Sequence, residues 1–240
     1  MTQIRMFDAW ESAQAKASSD GPPPNYDMRA CPMSVVADLC AKHHGYGSAG
    51  TLAVYAWAVY EDGRPVAAYA WQPPPPGAAT DVLPQAPGGV LSLSRMVAVP
   101  HEERRLRHVS TPLRRQMRTL IDRGRWPALV TYSDEGQGHT GHVYKCSGWT
   151  KTDRRKVPFY TNADGDRASS YANGVSGARD LVRGGTTTIQ RWEHVVCPKE
   201  FAIEWMQNHG WVRVPVQGKR WRSGNQSYTW AKRPDFAGAA

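Results

Sequence analysis

The run TYSDEGQGHTGHVYKCSGW, residues Thr131–Trp149, gathers two carboxylates, imidazoles, phenols and a thiol among several glycines. Asp134 can accept a proton or a hydrogen bond from an amine nucleophile, or it can cap the element that follows. Tyr144 carries a phenol able to donate at neutral pH; its bland alternative is a core tyrosine with a satisfied hydroxyl. Upstream, Cys40, His43 and His44 fall at helical spacing that places three metal-ligand types on one face, although a helix C-terminus favours histidine in any case. Neutral His44 can instead serve as a base, with Tyr46 stacking on or bonding to a ring beside it. Arg95 interrupts the apolar run VLSLSRMVAV. A buried unpaired guanidinium is expensive, so Arg95 should meet an anion or an internal partner such as Asp134.

The elements that must position these groups can be read from periodicity. Residues 33–44 have Val35, Val36, Leu39 and Cys40 at helical spacing behind Ser34 as a cap, ending at Gly45. TLAVYAWAVYEDGRPVAAYAWQ reads as two antiparallel strands about an EDGR turn. PPPPGAATDVLPQAPGG reads as an irregular surface loop, and VLSLSRMVAV as a central strand. From Leu106, apolar Leu106, Val109, Leu113, Met117 and Leu120 alternate with arginines, which predicts an amphipathic basic helix. PALVTYS is a short strand, and GHTGHVYKCSGW a short helix closed by Trp149. The region Asn162–Gly185 is a Gly, Ser and Asp-rich excursion. Beyond it, Arg191–Phe236 should hold two or three strands and a short helix at PKEFAIEWMQNHGW.

The chain has 240 residues and a formal net charge of +9, which fits one elaborated domain and favours a polyanionic partner, nucleic acid first. Residues 1–30 read as a polar arm ending in SSDGPPPNY, 31–160 as a catalytic core and 161–240 as an elaborated C-terminal part. No run approaches a membrane span or a secretory core, so a cytoplasmic location and no membrane partner are expected. Cys31, Cys40, Cys146 and Cys197 are dispersed without a CxxC pair, which predicts reduced thiols. Arginines 104–125, and Arg213, Lys219, Arg220 and Arg222 amid Trp211, Trp221 and Trp230, could track a DNA backbone while an aromatic supports a displaced base.

The order of hairpin, central strand, basic helix, strand and short helix resembles the GNAT acyltransferases. More specifically, YSDEGQGHTGHVYKCSGW resembles the signature of the Mom family of phage DNA-modification proteins, with Tyr132, Asp134, Gly138, His139, Gly141, Tyr144 and Trp149 in place. HHGYGS and SRMVAV extend the likeness over roughly residues 35–150. The resemblance implies a GNAT-like α/β (α+β) fold: a mixed, mostly antiparallel central sheet flanked by helices, here with a C-terminal extension. It implies hypermodification of adenine in DNA at the exocyclic amine, an acetamido-type adduct that shields phage DNA from host restriction. Its catalytic positions fall on His44, Tyr46, Arg95, Asp134 and Tyr144, with Tyr144 where GNAT enzymes place a general acid and both Asp134 and Tyr144 facing one cleft. Arg105 and Ser110 are the cofactor-binding candidates. The donor would be an acyl-CoA or another small metabolite, with a metal ion open. EERRLRHVSTPL lacks the glycines of the usual phosphate-cradling loop, so weak acetyl-CoA binding through side chains is expected. The alternatives are a GNAT-like acyltransferase for another amine, such as a hypermodified base or a small molecule, and a DNA-binding accessory domain without chemistry.

Overall fold

In the computed structural model, the described residues are 27–44, 53–161, 165, 167–168, 181–220 and 226–234. At the head of the sheet, strands β2 (Tyr55–Glu61) and β3 (Arg64–Gln72) form the expected antiparallel hairpin. Asp62 and Gly63 turn it with φ of 51° and 79°, the left-handed pair whose twist matches that of the strands. β1 (Asp27–Ala30) pairs with β2 on the outside, so the end of the expected polar arm is sheet. Four residues bonded along a free strand edge need little apolar content to stay there.

β4 (Val90–Ala98) runs antiparallel to β3, and β5 (Ala128–Asp134) lies parallel to β4. The sheet continues through β8 (Val182–Val195), β6 (Thr150–Thr161) and β7 (Arg167–Ala168), giving the order β1-β2-β3-β4-β5-β8-β6-β7. The central position of VLSLSRMVAV is therefore correct. β6 and β8 replace the loosened pattern expected after Thr150. A second sheet is the hairpin β9 (Trp211–Arg220) and β10 (Gln226–Lys232).

Five helices connect or cover these strands among the described residues: α1 (Met33–His43), α2 (Pro76–Val82), α3 (Ser110–Asp122), α4 (His142–Cys146) and α5 (Ala202–Asn208). The proline-rich loop is corrected by α2: Pro76 occupies the first helical turn, where its fixed φ and missing N–H cost nothing, and Ala79 and Val82 are buried. α1 starts after Pro32 without a side-chain cap, not on Ser34, and α3 starts at Ser110, not near Leu106.

One core joins Val36, Leu39 and Cys40 of α1 to Ala67–Trp71 of β3, Leu113, Met117 and Leu120 of α3, and Tyr144, Trp149 and Trp192. A smaller one joins Ala79 and Val82 of α2, Val90, Ala128, Val130 and Ala202. Within the larger core the Trp71 indole donates to the buried Gln116 amide oxygen at 2.9 Å, which ties β3 to α3.

Candidate active site

Between β4 and β5 the sheet forks. Their parallel register runs only from Val90↔Ala128 to Ser92↔Val130, after which β4 stays with β3 as far as Ala98 and β5 stays with β8 as far as Asp134. The Thr131 hydroxyl donates to the Leu93 carbonyl at 3.0 Å and bridges the base of the fork.

Arg95 reaches this place through a register shift. Leu93 pairs with Trp71, but Arg95 pairs with Ala70, leaving Ser94 as the extra residue. Antiparallel partners share a face of the sheet, so the bulge turns Arg95 away from the Trp71 side and toward α1. Its guanidinium donates to the Ser94 carbonyl at 2.7 Å and lies near enough to Cys40 and His44 to act on both electrostatically.

His44 closes the C-terminus of α1, its N–H donating to the Cys40 carbonyl at 3.0 Å. The ring of His139 stands 6.4 Å from its own. Burial, then Arg95, then His139 disfavour the imidazolium, and the His44 pKa falls to about 4. His44 is thus a neutral imidazole at pH 7. His139 is exposed and follows Gly138, whose φ of 73° closes the turn after β5. Sequence reading placed His139 in the signature without giving it a role.

Asp134 ends β5 and is 4% exposed. Its Oδ1 accepts the Gly136 N–H at 2.9 Å, which caps the 3-10 turn Glu135–Gln137, and also accepts the Thr187 hydroxyl of β8. The unbroken β5–β8 register sets alternate side chains on opposite faces. Val130, Tyr132 and Asp134 point to one side, Thr131 and Ser133 to the other. Thr187 is diagonal to Asp134 across the Asp134↔Ile189 pair. No feature of the sequence links those two before the strand register is known.

Tyr144 does not share Asp134's face. It is 8% exposed, packed between Trp149 and Trp192 with centroids 6.0 Å away in each case, and hydrogen-bonded to Thr131. Burial pushes the phenol up. Both Asp134 and Tyr144 are buried, and on opposite sides of the sheet, which corrects the expectation that both face one cleft: the α4 helix carries Tyr144 into the aromatic core, and the strand pleat carries Asp134 to the opposite side. The structure therefore brings His44, Arg95 and His139 together and sets Asp134 nearby along the chain, with Tyr144 behind the fork. Tyr46 lies outside the described residues, as do Trp221 and Arg222, and so do the side chains of Lys219 and Arg220.

Beside Asp134, Glu135 receives both the Arg154 guanidinium, with two bonds of 2.8 Å, and the Gln190 amide. Those bonds hold its carboxyl down at about 2. Cys146 of α4 contacts His142 at 3.3 Å. Among the described residues no group of three or more His, Cys, Asp or Glu side chains is arranged to hold a metal ion. The reduced thiols expected from the sequence are four free cysteines.

Arg105 and Ser110 stand elsewhere, in the segment leading into α3. Arg105 is exposed and pairs with Asp62 at 2.8 Å. Its backbone N–H and that of Leu106 donate to the Glu61 carboxylate at 2.8 and 2.6 Å. A diphosphate approaching these two amides would meet a carboxylate already bound to them. The residues here do not fit a group cradled by backbone at 105–106. Ser110 opens α3, and its carbonyl accepts from Ser147 at 3.4 Å.

The chain resembles solved N-acetyltransferases in fold. The ribosomal-protein-S18-alanine N-acetyltransferase of Escherichia coli matches at 10% identity, covering 72% of this chain and 95% of its own, with a TM-score of 0.47. An N-acetyltransferase of Staphylococcus aureus Mu50 matches at 9%, covering 72% and 99%, with a TM-score of 0.44. A search of curated proteins finds no match. No described helix is long and apolar enough to cross a membrane. The forked mixed sheet has its hairpin, central strand, helix, strand and short helix in the order expected from the sequence. The Mom protein family model matches residues 25–199, most of the sequence, and the chain belongs to that family.

Proposed function

We propose that this protein is a transferase that modifies adenine in DNA at the exocyclic amine, leaving an acetamido-type adduct that protects phage DNA from restriction. The observation that carries the reading is the neutral His44 beside Arg95 and His139 at the fork of a Mom-family sheet. The aryl amine of adenine is a poor nucleophile because its lone pair is delocalised into the ring. A neutral imidazole can remove its proton as the new N–C bond forms, while the donor's bond to its leaving group breaks and that group departs with the electron pair. Asp134, held on Oδ1 by Gly136 and Thr187, is assigned the part of accepting a hydrogen bond from the amine. Arg95 offers positive charge where an oxyanion or a phosphate would develop or sit. Tyr144 supports the fork through Thr131. A stacked base cannot reach such a site, so the target must be flipped or locally unpaired, at a few kcal/mol.

Mass analysis of nucleosides from DNA co-expressed with the protein tests this. An adenine adduct that disappears in His44→Asn is the expected result. An acylated product on another amine would establish the alternative acyltransferase, and unmodified DNA with intact DNA binding would establish the accessory domain.

A further inference from the structure

The β5–β8 register stops at Asp134↔Ile189, but β8 continues back to Val182 with β6 as its partner, from Lys156↔Thr188 to Thr161↔Val182. Beyond the fork, β6 and β8 therefore form a ribbon roughly 20 Å long at ~3.3 Å per residue. Its root is the site itself, because Thr187 donates to Asp134. Its charge is of one sign and lies on both faces, Arg155 on the face of Ile189 and Asp134, and Lys156 on the other. Residues 154–161 and 182–192 contain no Asp or Glu, and Arg155, Lys156 and Arg183 are exposed. Among the described residues, no carboxylate forms an ion pair with any of these three. Arg154, by contrast, is spent on Glu135. The ribbon also has its own packing: the Phe159 ring crosses Gly184 so closely that a Cβ there would stand 2.4 Å from it. Phe159 of β6 thus packs directly on the glycines of β8.

We infer that this ribbon is the DNA-holding arm of the protein, set edge-on into a groove beside the target base so that Arg155 on one face and Lys156 on the other meet the phosphates of the two walls, with Arg183 on a phosphate nearer its tip. From Lys156 to Phe159 the ribbon is two-stranded, β7 joining β6 at Tyr160 and Thr161; a two-stranded ribbon has the width that the major groove admits, and its cations present no base-reading pattern, so they position the duplex rather than select sequence. The inference rests on DNA being the substrate, and it assigns the grip to the β6–β8 ribbon instead of the arginine-rich face of α3.

Fluorescence anisotropy of the full chain with a labelled 20-bp duplex, across a salt series, tests it. Each lost phosphate contact should lower the log–log salt slope by about 0.9. The triple variant R155Q/K156Q/R183Q should therefore lower the slope by about 2–3 and weaken binding on the order of a hundredfold at ~0.1 M salt. Arg115→Gln on α3 should leave the slope within about 0.2 of wild type, well short of the ~0.9 of one phosphate contact, and thermal melting should match wild type in both. Unchanged binding in the triple variant overturns the inference, as does an equal loss per charge removed from α3, which would show that net charge alone is felt. Nucleoside analysis keeps the two readings apart: ribbon-dependent binding with unmodified DNA would sink the adenine reading and leave the arm standing.

Discussion

His44 loses its positive charge to burial and to the Arg95 guanidinium, and this has a measurable sign. The unfolded chain takes up the proton near pH 6.5, the folded chain only at about 4. Stability from this group is therefore complete above ~6.5 and declines as pH falls toward 4. Carbon-detected NMR of the imidazole should give an apparent pKa below 5, and the acid limb should flatten in His44→Asn; a ring titrating at 6 or above would remove the neutral base from the site. Asp134 and Tyr144 separate structure from chemistry. Asp134→Asn can still accept from Gly136 and Thr187, so it should melt within a degree or two of wild type yet lose at least a hundredfold in modification rate, whereas Asp134→Ala should also lose about 1 kcal/mol with the cap. Tyr144→Phe removes a buried hydrogen bond, at about 1 kcal/mol, and should cost less than tenfold in rate. A larger loss at unchanged stability would restore the phenol as a general acid. His44, Arg95 and Asp134 could be chosen from their types and neighbours in the chain. Thr187 could not, because only strand pairing across fifty residues of sequence brings it to Asp134.

Two elements depend on single positions. Glu61, at the end of β2, holds the amides of Arg105 and Leu106 and so fixes the path from β4 into α3. Glu61→Ala leaves both donors without that partner and should destabilise by roughly 2–3 kcal/mol in urea unfolding; a loss under 0.5 kcal/mol would mean the segment is held otherwise. Gly141, just before α4, has φ of 74°, and a Cβ on it would stand 2.2 Å from the Trp192 ring. Gly141→Ala should therefore cost at least ~2 kcal/mol, with near-UV dichroism reporting the displaced tryptophan. The β2–β3 hairpin, β4 and β5 were legible because a buried strand and a two-residue turn each leave a sharp pattern. β6 was hidden because its first seven residues, TKTDRRK, are almost all exposed, so no apolar alternation marks them. β8 begins VRGGTTT, and its glycines imitate a loop although they serve to admit Phe159. In α2 the prolines that suggested an irregular loop instead start the helix.

At the scale of the whole molecule, the same sheet is firm on one side of its fork and thin on the other. Ala67–Trp71 of β3 are wholly buried, paired on both edges and packed under α3 through the Trp71–Gln116 bond. Opening them exposes the larger core, so their amides should exchange only by global unfolding. The ribbon beyond Ile189 has lost β5 as a neighbour, and among the described residues the β9–β10 hairpin forms a sheet of its own. Both should open subglobally at a lower free energy, since fewer buried apolar contacts are lost with them. This ordering suits an arm that must adapt to a duplex while His44, Arg95 and Asp134 stay fixed. Hydrogen exchange read by mass spectrometry should show peptides from β3 and β4 exchanging slowest and those from 182–188 at least a hundredfold faster, and DNA should protect 182–188 and 155–161 without altering β3. Protection of the ribbon equal to that of β3 in the free protein would mean that the sheet unfolds as one unit, and a preformed rigid arm would then have to bind DNA without adjustment.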